Sequence, residues 1–387
     1  MEKKICIKKE SIGLLLDKLN ENYDVYVPVL EKETGIIDFM NFNSIRNAER
    51  FSLNFNEKTK RSPKSIVFPA TEDMFRFEYI KDPGKPDTTD IRITSDATLS
   101  RDSVQQDAAK QDRPGKKKII FGMKPCDTAG IKSFDMVFNE NGNEDIYYNK
   151  KRLDLVLISI GCKTIFPDCF CLAVGGNPFN FEYSDIGFID NGRYFVILKQ
   201  SENKTAEKLI EENREFFEER DFNVNDLKEL DEIISQSNNL QDQLLNENSL
   251  ERIEKDKMEK ILETGFNSKV LWKVISEKCI SCGSCTYVCP TCVCFNIGDE
   301  IKNLEGQRYR CWDFCTSYYY TLEASGHNPR GEIFQRYRNK INCKFNYFNK
   351  RKKMLYCVGC GRCVDVCPVG MDIREIIKRI LTTEKQQ

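Results

Sequence analysis

The 387-residue sequence contains a single histidine, His327, and this scarcity limits the chemistry open to the chain. One imidazole excludes zinc or non-haem iron sites with several histidine ligands, excludes Rieske ligation and disfavours histidine-based acid–base catalysis. The sequence also lacks a G-x-G-x-x-G fingerprint and a P-loop. A nucleotide cofactor is therefore expected on a partner.

Charge excess and long apolar runs are missing as well. The net charge is −1 and the isoelectric point is about 6.2, which excludes the basic footprint of a nucleic-acid-binding protein. No apolar run approaches the length of a membrane span, and the first ten residues contain no signal-peptide-like stretch. We therefore expect no nucleic-acid partner, no membrane span and a cytoplasmic location.

Cysteine, in contrast, is abundant, with 18 in the chain. In a reducing cytoplasm, clustered cysteines indicate metal binding rather than disulfides. Residues 279–290 and 357–368 each have the spacing C-x2-C-x2-C-x3-C-P, which is used to hold [4Fe-4S] clusters. Structural zinc is the alternative, because C-x2-C is half of a zinc knuckle, but zinc sites usually group their ligands two and two.

The spacing also predicts which cysteines share a cluster. Three closely spaced thiolates wrap one cubane, while the fourth cysteine of a run ligates the other cluster in two-cluster domains. The predicted ligands of one cluster are Cys279, Cys282, Cys285 and Cys367, and those of the second are Cys357, Cys360, Cys363 and Cys289. In this arrangement each cluster binds cysteines from both motifs and so links them.

Four cysteines in the first half suggest a third site. Cys126 follows an apolar, strand-like run and stands where a helix is predicted to begin, and Cys162 follows the apolar run 153–160. Cys169 and Cys171 come a few residues later. Ligands of open α/β sheets bind at the carboxyl ends of strands, so these four thiols are expected either to hold a third cluster or to be buried free cysteines.

The residue patterns predict an α+β fold in three parts. Residues 1–200 are expected to form an α/β domain with a mixed sheet, residues 201–269 a helical connector, and residues 270–387 a mainly helical, ferredoxin-like domain with two [4Fe-4S] clusters. The polar segment 96–117 has almost no large apolar residues and is predicted to be a mobile insertion.

Local patterns add further expectations. The alternating segment 24–30 predicts a strand, with Pro28 favouring an edge position. Residues 65–68 predict a second strand, followed by a loop-and-helix region that carries Phe75 and Phe77.

Five further cysteines surround the C-terminal motifs, and their roles are open. Cys292 and Cys294 follow the first motif closely and are expected near a cluster. Cys311 and Cys315 stand four apart, as on one face of a helix, which is compatible with a dithiol, a metal site or core packing. Cys343 has no assigned role.

Taken together, these motifs resemble a known family. The pattern from Cys279 to Phe295, the tripeptide Cys311-Trp312-Asp313, residues 326–330 and the second cysteine motif resemble the iron-sulfur beta subunit of cytoplasmic sulfhydrogenase-type NiFe hydrogenases. The anaerobic sulfite reductase A subunit is similar. The resemblance extends over most of the chain from about residue 118, through the turn at Cys126 and the Cys169–Cys171 loop.

The resemblance implies an electron-transfer subunit of an anaerobic oxidoreductase. It would relay electrons between a flavin subunit that handles NAD(P)H and a catalytic hydrogenase or sulfur/sulfite reductase subunit, with the catalytic site on the partner and no catalytic residue on this chain. It also favours the third cluster. The alternative is a cluster- or dithiol-dependent reductase that acts directly on a disulfide or sulfur substrate, for instance through Cys311 and Cys315.

Two basic residues beside the motifs are predicted to tune the clusters. Lys124 precedes Cys126 by two positions, and Arg362 lies inside the second motif. Positive charge beside a cluster makes it easier to reduce. Replacing Arg362 by alanine is therefore expected to lower a cluster potential.

Overall fold

The computed structural model describes residues 2–81, 89–96, 116–140, 142–201 and 204–384. The α+β class is confirmed, because a mixed sheet in the first half is followed by a largely helical second half. Of the predicted mobile insertion 96–117, residues 97–115 lie outside the described residues. The three-part domain division stays a prediction.

Most strands lie before about residue 222, interspersed with helices. In the described part of the second half, strands form one hairpin. The strands are β1 (Glu2–Lys8), β2 (Tyr23–Glu31), β3 (Ile36–Asn41), β4 (Phe51–Leu53), β5 (Thr71–Lys81), β6 (Thr89–Asp96), β7 (Lys117–Met123), β8 (Asn139–Glu140), β9 (Asn143–Glu144), β10 (Leu155–Ile160), β11 (Ile186–Asp190), β12 (Tyr194–Gln200), β13 (Glu218–Phe222), β14 (Phe295–Lys302) and β15 (Glu305–Trp312).

The helices are short except in the middle of the chain. They are α1 (Ile12–Asn22), α2 (Phe42–Ile45), α3 (Pro125–Phe138), α4 (Ile146–Leu153), α5 (Lys204–Glu212), α6 (Val224–Glu247), α7 (Lys255–Thr264), α8 (Lys269–Ser276), α9 (Ser284–Tyr287), α10 (Ile333–Asn342), α11 (Phe348–Lys352), α12 (Arg362–Asp365) and α13 (Ile373–Glu384). A π-helical turn, Cys343–Tyr347, joins α10 to α11.

A large mixed sheet organises the first half, with the order β13-β1-β12-β11-β10-β7-β2-β3 and β4 paired to β2. Strands β11, β10, β7 and β2 are parallel neighbours, and the outer pairs are antiparallel. Along β10 the side chains alternate between two cores: Val156 and Ile158 pack in one, and Leu155 and Leu157 in the other. The sheet is therefore covered on both faces, as parallel sheets require.

Pro28 does not mark a sheet edge, contrary to the sequence prediction. Strand β2 has β3 on one side, and β7 followed by β4 on the other. The β7 pairing ends at Tyr26 and the β4 pairing begins at Val29, so Pro28 falls between the two partners. Proline has no backbone N–H to donate to a neighbouring strand. On the side of β7 and β4 no strand is paired with β2 at this position, so a missing N–H costs nothing there.

A second sheet brings distant parts of the chain together. It is antiparallel, with the order β14-β15-β5-β6. The predicted loop-and-helix region around Phe75 and Phe77 is wrong, because both residues lie on β5. The predicted strand 65–68 is also wrong: Pro63–Ile66 is a 3-10 turn. The short apolar run 66–68 has no decisive period, and its side chains are buried although it forms no strand.

The second half has its own core, and the Cys169–Cys171 loop takes part in it. Trp272 of α8, Tyr337 of α10 and Ile377 of α13 pack with Phe170 and Leu172. The predicted helical connector is not wholly helical, because β13 pairs with β1 at the border of the large sheet. One cysteine loop of the first half is thus fixed by the helices that surround the C-terminal motifs.

Candidate functional site: two cysteine-lined cavities and a third thiol cluster

The two C-terminal cysteine motifs fold into loops of the same form. In each, a glycine with positive φ, Gly283 (78°) or Gly361 (73°), precedes a one-turn helix, α9 or α12. Glycine adopts this left-handed conformation without steric cost. The same turn therefore stands two residues before the third cysteine of each motif, Cys285 or Cys363.

The thiols of these loops line two cavities. The first cavity is lined by Cys279, Cys282, Cys285, Cys363 and Cys367. The second cavity is lined by Cys285, Cys289, Cys292, Cys357, Cys360 and Cys363. Each therefore contains one complete predicted ligand set, including the fourth cysteine contributed by the other motif.

The arrangement of the thiols differs from that of a single-ion site. In the described part of the chain, no three His, Cys, Asp or Glu side chains converge closely enough to hold one metal ion. A structural zinc ion needs four ligands within about 2.3 Å of one point. The thiols of the two motifs instead line the two cavities.

Two buried lysines face the cavities, and the sequence analysis missed both. Lys340 of α10 donates a hydrogen bond to the Cys285 sulfur, and Lys344 of the π-helical turn donates to the Cys289 sulfur at 3.4 Å. Their side chains are 4–5% exposed. Two lysines four residues apart normally indicate a solvated helix face. Here each is followed by an apolar residue, Ile341 or Phe345, and this pattern was a signal that the helix is buried.

Burial and neighbouring charges have opposite effects on the pKa values of these groups. Burial raises the pKa of Cys357 to about 12 and raises the pKa of Cys363 well above its usual range. Burial lowers the pKa of Lys340, but the Cys285 thiol raises it, and the net direction is upward. A buried thiolate is costly without positive charge beside it. Metal ions and these ammonium groups supply such charge, so the residues present fit an iron-sulfur cluster in each cavity.

The four N-terminal cysteines come together as predicted. Cys126 stands at the N-terminus of α3, directly after β7, and Cys162 follows the neighbouring parallel strand β10. Cys162 interacts electrostatically with Cys126, Cys169 and Cys171. Burial raises the pKa of Cys162 to about 11. The carboxyl ends of adjacent parallel strands therefore do assemble the thiols.

This third thiol cluster lies against the second cysteine motif. The Phe170 amide donates a hydrogen bond to the Gly359 carbonyl at 2.8 Å. Lys58 lies between the two sites: its ammonium is 3.7 Å from the Cys169 sulfur and donates to the Cys360 carbonyl at 2.7 Å. The second cavity and the third thiol cluster are thus direct neighbours.

Gly359 is expected to be the least replaceable residue of this contact. Its φ is +63°, and an added Cβ would lie 2.6 Å from the Cys171 amide nitrogen, which cannot move aside as a flexible side chain could. We expect Gly359→Ala to lower the denaturant midpoint further than the control Gly192→Ala, which has φ +96° and open space around it. Positive φ alone costs about 1–2 kcal/mol, so equal effects would contradict the contact.

Arg362 acts electrostatically on the Cys360 thiol, and its predicted tuning role stays a prediction. Its guanidinium is fully buried and forms two hydrogen bonds with the Asp127 carboxylate, at 2.6 and 3.0 Å, and it also donates to Thr59. The paired carboxylate offsets its charge. Lys124 likewise donates its ammonium hydrogens to the Phe55 and Asn56 carbonyls. Lys340 and Lys344, which contact sulfur, are the stronger candidates for tuning a cluster.

The predicted helix carrying Cys311 and Cys315 is wrong. Cys311 lies on β15, where it pairs with Asn296 and Thr71, and Cys315 lies in the loop after that strand. The partner of Cys315 is Cys294, since their side chains hydrogen-bond. Cys292 hydrogen-bonds to Cys289, and Cys343 opens the π-helical turn.

Comparison with known proteins agrees with this geometry. Residues 278–371 match the family described as "4Fe-4S dicluster domain", and this range includes all eight cysteines of the two motifs. The chain is also 29% identical over 379 residues to "Sulfhydrogenase 2 subunit beta" of Pyrococcus furiosus, which covers 97% of this chain and 98% of that protein. The resemblance predicted from the sequence is confirmed.

The helices were also compared with the requirements for crossing a bilayer. Among the described residues, no helix is both long and apolar enough to span a membrane.

Proposed function

Because this chain carries a 4Fe-4S dicluster domain and is related along nearly its whole length to a sulfhydrogenase beta subunit, we propose that it is an electron-transfer subunit that relays electrons between a flavin subunit and a catalytic subunit. The flavin partner would handle NAD(P)H, and the catalytic partner would be of the hydrogenase or sulfur/sulfite reductase type. The catalytic site lies on that partner, and the complex works in the cytoplasm.

The observation that carries this proposal is the division of the thiols between two cavities. We assign Cys279, Cys282, Cys285 and Cys367 to a cluster in the first cavity, and Cys289, Cys357, Cys360 and Cys363 to a cluster in the second. Each such cluster, when bound, takes up and releases one electron. The residues of this chain would hold the clusters and set their charge environment.

We further propose a third cluster on Cys126, Cys162, Cys169 and Cys171. Their mutual proximity, their burial and their position at the carboxyl ends of two parallel strands support it. The resulting order is the third thiol cluster, then the second cavity, then the first cavity, where Cys282 is exposed to solvent. Electrons would therefore pass through the second cavity between the other two sites, and could enter or leave at the exposed Cys282 side of the first cavity.

The direct test is anaerobic purification followed by iron and acid-labile sulfide counting and electron paramagnetic resonance during stepwise reduction. Three [4Fe-4S] clusters require about twelve iron and twelve sulfide per chain, and two require about eight. A Cys171→Ser variant should separate the cases, by losing about four iron if the third cluster is present. Colourless protein, or protein loaded with zinc, would contradict the whole proposal.

Lys344 is expected to raise the potential of the cluster assigned to the second cavity. Its ammonium lies 3.4 Å from the Cys289 sulfur and favours the more negative, reduced state. A charge-assisted hydrogen bond contributes about 1.5–3 kcal/mol, which corresponds to a shift of about 60–130 mV in the potential of a one-electron couple. Lys344→Met should lower the midpoint potential in a spectroscopic redox titration by a shift within this range.

A matched control is Lys350→Met. Lys350 is about half exposed and pairs with Glu263 on the surface, so its replacement should leave both potentials unchanged. Equal shifts in the two variants would show that overall charge, rather than contact with sulfur, sets the potential.

A further inference from the structure

A pair of thiols outside the assigned ligand sets stands at the base of the β14–β15 hairpin. The hairpin register pairs Phe295 with Trp312, and the Asp313 amide donates to the Cys294 carbonyl at 3.0 Å. This places Cys294 beside the loop that carries Cys315, and the two thiols interact with each other. Both are free thiols. The chain thus holds two cysteines in contact although 20 other residues lie between them in the sequence.

The pair is close in sequence to residues that line both cavities. Thr316, the residue after Cys315, lines the first cavity. Cys292, two residues before Cys294, lines the second cavity and interacts with the Cys289 thiol. Each thiol of the pair is therefore within two residues of a cavity wall, while neither of them lines a cavity itself.

The surroundings of the two thiols are unequal. Cys315 is buried, with 8% of its surface exposed, and Cys294 is partly exposed beside the Tyr320 hydroxyl. The Cys315 thiol, followed by Tyr320, lowers the pKa of Cys294 to about 6, whereas the hydrogen bond to Cys294 and burial raise the pKa of Cys315. One reactive, low-pKa cysteine beside a buried partner is the arrangement found in redox-active dithiols.

We propose that Cys294 and Cys315 form a redox-active dithiol that interconverts with a disulfide and stores two electrons beside the iron-sulfur sites. In the oxidised form the two sulfurs share one S–S bond. Two electrons, delivered singly by a low-potential iron-sulfur or flavin reductant, and two protons from solvent break this bond and give two thiols. The inference goes beyond the proposed relay, which moves electrons one at a time, and rests on it only for the source of reductant.

The test follows the thiol state of the cluster-loaded full chain as a function of applied potential. Samples are quenched in acid, denatured, alkylated with a light reagent, reduced with a phosphine and alkylated with a heavy reagent. Mass spectrometry with fragment-ion assignment then reports each cysteine. We expect Cys294 and Cys315 to exchange light for heavy label together, with a tenfold change in the disulfide-to-dithiol ratio for each ~30 mV, as a two-electron couple requires.

Three variants make the test specific. In Cys315→Ser, Cys294 should keep the light label at every potential, with unchanged iron content, and Cys294→Ser should do the same for Cys315. The matched control is Cys311→Ser, which removes the nearby thiol on β15 and should leave the exchange intact. Retention of the light label on both cysteines throughout would overturn the proposal, as would loss of iron from Cys315→Ser, which would make Cys315 a cluster ligand.

Failure of this inference and failure of the proposed function are distinguishable in the same samples. Iron content and the paramagnetic signals report the clusters, whereas the isotope ratio reports the dithiol. Full cluster signals with unreactive cysteines would reject the dithiol alone. Absent clusters would reject the relay, whatever the thiols do.

Discussion

Replacing Cys367 by serine should remove the same cluster as replacing Cys279, although the two cysteines belong to different motifs. Both side chains line the first cavity. We expect each variant to lose about four iron per chain and the same paramagnetic signal. Cys357→Ser should lose the other signal, because Cys357 lines the second cavity. Iron counting and low-temperature spectra of the reduced variants provide the measurement.

The matched control is Cys6→Ser. Cys6 is fully buried on β1 in a core of the large sheet, and no other cysteine belongs to that core. Its replacement should leave iron content and spectra unchanged. If Cys367→Ser and Cys357→Ser removed the same signal instead, each motif would hold its own cluster and the exchange of the fourth ligand would be wrong.

The second large effect is expected from Arg362→Ala, and it concerns stability. The substitution would leave the Asp127 carboxylate buried without its charged partner, since Arg362 supplies two hydrogen bonds to that group. Removing one partner of a buried ion pair costs about 3–5 kcal/mol. We expect a correspondingly lower denaturant midpoint, followed by far-UV circular dichroism under anaerobic conditions.

A double replacement separates this charge effect from loss of packing. Arg362→Met with Asp127→Leu removes both charges and keeps apolar volume, and such exchanges of buried pairs are often neutral or stabilising. The double variant should therefore unfold at a higher denaturant concentration than Arg362→Ala. If it were no more stable than the single variant, the unpaired carboxylate would not be the cause.

The cysteine motifs could be predicted in detail because the metal, rather than the fold, dictates their spacing. Three thiolates must reach three corners of one cubane from a single loop, so the residue intervals are fixed. The predicted exchange of Cys289 and Cys367 between the motifs rests on the same geometry. The third thiol cluster could be predicted because β7 and β10 are apolar runs that are each followed by a cysteine. Adjacent parallel strands have their carboxyl ends at the same edge of a sheet.

Other features depend on contacts between distant segments or on signals that the sequence analysis missed. The pairing of β5 with β15 joins residues far apart in sequence, but the alternation of apolar and polar residues from Phe75 to Tyr79 was a local signal for a strand. The same hairpin places Cys294, rather than Cys311, beside Cys315. The sequence analysis did not single out Lys340, because its burial depends on the cysteine loops that pack over it.

The second sheet has a consequence for synthesis of the protein. Strand β5 is made early, but its partner β15 leaves the ribosome more than 200 residues later. Until then β5 presents an unpaired edge, and such edges template association with other chains. Pairing between such distant strands also slows folding, because β5 and β15 can meet only when the long segment between them closes into a loop. Expression yield should therefore depend on chaperones that protect the nascent first half until residue 312 has emerged.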